Sequence, residues 1–199
     1  MVRDAFQFLI PLAAAAGTCL WLGWLAPGVV VLLLAAFVAF FFRDPQRRVP
    51  PDAAIIVAPA DGKVVRIEPV PGGTRVSIFL SLFNVHVNRS PIAGRIEAME
   101  YRRGRFKAAF EHSASVENEQ NAITVNGEVR VTFSQIAGVI ARRIVCWKKV
   151  GDVVEKGERI GLIRFGSRVD IVFPPDSRVT VALWDAVHGG SSPIGMIQH

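Results

Sequence analysis

Hydropathy divides the chain into two unequal parts. From Ala5 to Phe42 no residue is charged, and only Gln7 and Thr18 are distinctly polar. A helix needs about 20 apolar residues to cross the hydrocarbon layer of a bilayer, and this run is nearly twice as long. Ala26-Pro27-Gly28 interrupts it with a helix-breaking turn signal. The pattern predicts two apolar helices, over about residues 6–25 and 28–42. They form a hairpin that crosses the membrane twice or dips in and returns, the second helix being short for a full crossing. A cleavable signal sequence is the competing reading, with Arg3 as its basic end. The run is too long for an apolar signal core of about 7–15 residues.

Beyond the hairpin the pattern changes. Residues 44–53 read as a linker, with Pro45, Pro50 and Pro51 set among arginines. Residues 54–199 read as a mainly β domain. Ala54 to Val57, Lys63 to Ile67, Thr74 to Leu80, Gly94 to Glu100, Ala122 to Phe133 and Val139 to Trp147 are rich in β-branched residues, and Gly, Pro and Asn punctuate them. Asn126-Gly127 is the favoured two-residue hairpin pair and predicts a tight turn between antiparallel strands. Gly151-Asp152-Val153-Val154-Glu155-Lys156-Gly157-Glu158-Arg159-Ile160-Gly161 resembles the turn of biotinyl/lipoyl-type hammerhead domains, with Val154 and Ile160 facing the core. Ala58 to Val65 resembles the opening strand of the same fold. A barrel-sandwich (hammerhead-like) domain behind an N-terminal apolar helical hairpin is the expected architecture.

Charge narrows the compartment. The formal net charge is +6. Arg43, Arg47 and Arg48 follow the second helix and Arg3 precedes the first, so the positive-inside rule keeps both ends of the hairpin and the β domain on the cytoplasmic side of the cell membrane. The anionic cytoplasmic leaflet then accounts for the basic excess. The densest basic-aromatic cluster, Tyr101 to Lys107, reads as a solvated strand or turn. It carries no nucleic-acid motif, and no nucleic-acid partner is expected. Cys19 and Cys146 lack paired spacing and predict no disulfide framework. His86, His112, His188 and His199 show no zinc-ligand pattern, and no metal is expected.

Four segments carry candidate chemistry. They are Ala58-Pro59-Ala60-Asp61-Gly62, Phe79 to Pro91 around His86, Gln135 to Ile144 followed by Arg164 to Arg168, and Val187-His188-Gly189-Gly190-Ser191-Ser192-Pro193. Three of them have an ordinary reading when taken alone: a turn pair, a core histidine in an apolar strand, a flexible Gly-Ser terminus. Together and in this order they resemble phosphatidylserine decarboxylases, in particular the short bacterial and archaeal branch.

The resemblance implies a precursor that cuts itself between Gly190 and Ser191. Asp61 would orient an imidazole, His86 would act as base, and Ser191 would be the nucleophile. Ser191 attacks the Gly190 carbonyl. The resulting ester undergoes β-elimination, and the new terminus becomes a covalent pyruvoyl cofactor. The two fragments of the chain then stay together. Phosphatidylserine in the membrane would form a Schiff base with that group and lose carbon dioxide to give phosphatidylethanolamine. Many longer relatives carry a second histidine at the position of Phe83, so any role of that histidine does not transfer. Two alternatives stay open: a pyruvoyl decarboxylase of another amine, and a membrane-tethered hammerhead binding module. Homo-oligomerisation is also left open.

Overall fold

The computed structural model of the chain describes residues 1–104, 117–138, 143–164 and 167–198. Arg105, Phe106 and Lys107 of the basic cluster, His112, Val139 to Arg142, Phe165 and Gly166, and His199 lie outside the described residues. The chain forms two compact units, Met1–Gln46 and Arg47–His199.

The first unit is the apolar hairpin. A 3-10 turn over Arg3–Ala5 leads into α1 (Phe6–Trp21), and α2 (Leu25–Phe41) follows. The turn between them falls earlier than Ala26-Pro27-Gly28 implies. Gly23 takes φ +76° just beyond the α1 cap at Leu22. Its N–H donates to Leu20 O at 3.0 Å, and Trp24 N–H donates to Cys19 O at 2.8 Å. This bond pair is a Schellman cap. Pro27 instead lies in the first turn of α2, where a missing N–H costs nothing because those amides have no acceptor within the helix. Counted with its 3-10 turn, the first helix has 19 residues and is long and apolar enough to cross a membrane; α2 is shorter. Ile10, Trp21, Val30 and Leu33 stay exposed, an apolar surface suited to lipid rather than water.

The second unit is mainly β. Its largest sheet is a curled antiparallel one in the order β13 (Ala186–Val187), β2 (Gly62–Val70), β3 (Gly73–Leu80), β11 (Ser167–Phe173), β7 (Arg130–Ala137), β6 (Gln120–Asn126), β5 (Gly94–Arg102) and β9 (Val153–Val154). Among the described residues, two three-stranded sheets accompany it. One has the order β1 (Ile55–Val57), β14 (Pro193–Ile197), β12 (Ser177–Val179). The other has the order β4 (Val87–Arg89), β10 (Arg159–Arg164), β8 (Arg143–Cys146).

Alternation builds the core. Val76 and Ile78 of β3, Val169 and Ile171 of β11, and Val131 and Phe133 of β7 are buried in one cluster with Ile56, Ile160 and Ile194 from the smaller sheets. The intervening positions of β11 turn to the opposite face. There Arg168 and Asp170 pair at 2.9 Å, both buried. Val154 and Ile160 flank the Glu155–Glu158 turn and are buried, as the hammerhead resemblance requires.

Asn126-Gly127 does mark the β6–β7 hairpin, but not as a two-residue turn. Asn126 pairs with Arg130, leaving a loop of Gly127, Glu128 and Val129. Neither Asn126 nor Gly127 has the positive φ of a type I′ turn. Space requires the glycine here, because a Cβ would lie 2.1 Å from Ala93 O.

One feature of this topology creates the candidate site. β14 pairs with β1, Val57 against Pro193, and β13 pairs with β2, Val187 against Gly62. The connection Ala58–Asp61 therefore runs beside the connection His188–Ser192. Segments far apart in sequence are juxtaposed by two short antiparallel ladders.

Candidate active site

Asp61 ends the connection between β1 and β2 and is 5% exposed. Its carboxylate gathers three partners. One guanidinium nitrogen of Arg47, Nη2, lies 2.8 Å from both Oδ1 and Oδ2. The Gly189 N–H donates to Oδ1 at 2.8 Å. The His188 ring, through Nδ1, stands 3.4 Å from Oδ2. A cation and an oriented amide stabilise a buried carboxylate that burial alone would disfavour. The pair also ties the start of the β unit, at Arg47, to the residues leading into Gly190.

The Gly190–Ser191 peptide bond sits in a tight turn. His188 O accepts N–H groups from Ser191 at 3.1 Å and from Ser192 at 3.0 Å, while the His188 N–H donates to Ser192 Oγ at 2.9 Å. Ala58 grips both sides of the bond. Its O accepts the Gly190 N–H at 2.8 Å, and its N–H donates to Ser192 O at 2.9 Å. Gly190 has φ +77°, a left-handed conformation that penalises any residue with a Cβ. A Cβ there would also lie 2.7 Å from Arg89 Cδ and 3.3 Å from Gly157 Cα. This is no frayed Gly-Ser tail. The backbone on either side of the bond is fixed, and Gly189 and Gly190 are buried while Ser191 is half-buried.

The neighbouring turn braces it. Arg89, buried, donates from Nη1 to Gly157 O at 2.9 Å. Glu158 Oε2 accepts the Glu155 N–H at 2.8 Å, and its carboxylate pairs with Lys148. Burial acts to raise the Glu158 carboxyl, but Lys148 and the Glu155 amide outweigh it and hold it below the usual carboxylate range.

His86 lies just before β4 and is 1% exposed. Its Nδ1 is 3.0 Å from Asn84 O. A carbonyl only accepts, so Nδ1 carries the hydrogen, and in the neutral ring Nε2 carries the lone pair a base needs. Asp61 and His86 are not hydrogen-bonded in this uncut chain; the imidazole on Asp61 is that of His188. Phe83 tops the Ser81–Asn84 turn and is 71% exposed.

Several residues of this site escape sequence reasoning. Arg47 reads as a topological charge, and nothing in its spacing points to a carboxylate 14 positions on. Ala58 lies in the singled-out Ala58–Gly62 segment, but it holds the Gly190–Ser191 turn through its backbone, which its side chain does not announce. His188 is the exception, since its place three residues before Ser191 is visible in the sequence.

Comparison with known proteins bears on the same stretch of chain. The family model described as phosphatidylserine decarboxylase matches residues 34–195. A phosphatidylserine decarboxylase proenzyme of Solibacter usitatus is 47% identical over 195 residues, covering 98% of this chain and 95% of the relative. Another, of Chlorobium chlorochromatii, is 50% identical over 179 residues, covering 86% and 84%. A third, of Desulfotalea psychrophila, is 41% identical over 201 residues, covering 96% and 92%.

Proposed function

The chain belongs to the phosphatidylserine decarboxylase family, and from that membership we propose that it is a precursor which cuts itself between Gly190 and Ser191 and then decarboxylates phosphatidylserine. The observation that carries the self-cleavage is the double grip of Ala58 on the Gly190–Ser191 bond, with Gly190 at φ +77°. A peptide bond destined to break gains from a backbone already committed to one conformation.

The chemistry uses this chain's own groups. A base takes the Ser191 hydroxyl proton, and Oγ attacks the Gly190 carbonyl carbon. The C–N bond breaks as the acyl group moves to oxygen, leaving an ester and a free Ser191 amine. Loss of the Ser191 α-proton then expels the Gly190 carboxylate. Hydrolysis of the remaining unsaturated amine releases ammonia and leaves a pyruvoyl end. That end supplies a ketone as electron sink for loss of carbon dioxide from an amine-bearing substrate. The residues present fit such a group. Ala58 N–H retains Ser192 O, and the β1–β14 ladder retains the strand behind it.

In this reading Ser191 is the nucleophile, Asp61 the buried carboxylate that holds the turn, and His86 the base. The Nδ1–Asn84 contact supports His86, because it leaves Nε2 basic. The Asp61–His188 contact supports a second imidazole acting on the turn in the uncut chain. The apolar hairpin serves as a membrane anchor, with the β unit on the cytoplasmic side by the charge of its flanks. Ser191→Ala tests the whole reading: it should leave one uncut chain with no release of carbon dioxide from labelled phosphatidylserine. An uncut but active variant would overturn it.

A further inference from the structure

The turn Ala182–Asp185, which leads through β13 into the Gly190–Ser191 turn, holds Trp184 at φ +75°, the one non-glycine residue at positive φ among the described residues. A left-handed backbone disfavours a large side chain, and glycine would relieve the conflict. Hydrogen bonds impose the conformation. Trp184 N–H donates to Val64 O at 2.7 Å, and Val64 N–H donates to Asp185 O at 2.9 Å. Asp185 Oδ2 accepts the Ala182 N–H at 2.8 Å. The side chains gain no burial in return: Trp184 is 69% and Leu183 50% exposed. A rigid turn thus presents an indole and an isobutyl group to the outside.

Two exposed cations lie near the turn. Lys63, exposed, pairs across the ladder with Ala186. Arg178, also exposed, lines a groove with Ala182, Asp185 and Met196. The Asp185 carboxylate is engaged by the Ala182 amide.

We infer that Leu183 and Trp184 form an interfacial foot, seated in the headgroup–acyl boundary of an anionic bilayer with Lys63 and Arg178 beside the anionic headgroups. An indole has an apolar body and an N–H that favours the wet boundary of a membrane. Cations beside it complement an anionic leaflet. Trp184 is four residues from His188, at most about 13 Å along the chain, so a bilayer at the foot lies within reach of the segment that leads to the Asp61 turn. The inference rests on the proposed reading, in which the substrate is a bilayer phospholipid; it adds a second membrane contact independent of the apolar hairpin.

The test uses the full chain with Trp21, Trp24 and Trp147 replaced by Phe, leaving Trp184 as the sole indole. The variant is placed in phosphatidylcholine–phosphatidylglycerol vesicles, anionic but without a decarboxylatable headgroup, whose acyl chains are brominated close to the headgroup. Trp184 emission should be lost relative to unbrominated vesicles. Equal emission in both, with a maximum typical of water, overturns the inference, and so does a blue-shifted but unquenched emission, which marks a protein partner instead. As a second measurement, Leu183→Ser with Trp184→Ser should lower turnover of vesicle-borne phosphatidylserine more than that of a dispersed short-chain form; equal loss on both counts against the foot. A parent chain that neither cuts itself nor releases carbon dioxide fails the functional reading. One that does both while Trp184 stays unquenched fails this inference alone.

Discussion

One nitrogen of Arg47 lies 2.8 Å from each carboxylate oxygen of Asp61, and both side chains are nearly buried. Removing one partner of such a pair leaves an uncompensated buried charge, at a cost of about 3–5 kcal/mol. The Gly189 N–H on the same carboxylate passes that disturbance to the turn before the Gly190–Ser191 bond. Arg47→Ala is therefore expected to slow self-cleavage strongly and to lower stability, with Arg47→Lys intermediate. Fragment appearance after a translation pulse measures the rate. A chain beginning at Arg47 should still cut itself, since that unit contains the whole site. A chain beginning at Val49 should cut more slowly. Equal rates for the two truncations would remove Arg47 from the account.

Gly190→Ala probes the backbone directly. A Cβ at φ +77° costs roughly 1–2 kcal/mol and meets Arg89 Cδ at 2.7 Å. The turn must relax, and cleavage should slow by about tenfold or more for each 1.4 kcal/mol. Thermal stability should fall much less than cleavage. An unchanged cleavage rate would show that the left-handed Gly190 is not required.

The two histidines are separable. His86→Ala should slow cleavage by at least about a hundredfold, the scale of a lost general base. His188→Ala should slow it less, because Arg47 and the Gly189 amide still hold Asp61. Time courses of the two variants under one condition decide the order. A larger effect at His188 would transfer the base to it.

Much of this was legible in the sequence, for reasons that also explain the gaps. The apolar run announces the hairpin because a stretch with no polar face does not read as a surface helix of a water-exposed domain. Its turn falls before Pro27-Gly28, because that pair is a breaker signal in a helix interior yet harmless in a first turn, while Gly23 supplies the cap. β3, β5, β6 and β7 are visible as β-branched runs. β11 is central, between β3 and β7, yet Val169-Asp170-Ile171-Val172-Phe173 before a Pro pair is a short strand signal that the neighbouring Arg164–Arg168 motif overshadows. Asp61, Gly190 and Ser191 stand out as motif residues, and Ala58 shares the Asp61 segment though its backbone role has no side-chain signal, whereas Arg47 acts through tertiary contact and leaves no local pattern.

Acid should loosen the turn that braces Gly190. The Glu158 carboxyl is held below its ordinary range in the folded chain, so the unfolded chain binds the proton more readily. Its stabilisation is present above the unfolded value of about 4.3 and is lost as pH falls through the lower folded value. Melting temperature followed downward from neutral pH should drop more in the parent than in Glu158→Gln. Parallel curves would show that Glu158 contributes nothing.

The central claim is that the chain breaks between Gly190 and Ser191 and that the new terminus is not an amine. Intact-mass analysis of purified, active protein tests both at once. Two species are expected, Met1–Gly190 and Ser191–His199. The smaller should carry the mass of a pyruvoyl group in place of serine and shift on treatment with hydrazine. A single uncut chain in active protein, or a small fragment beginning with an ordinary serine amine, would contradict the account.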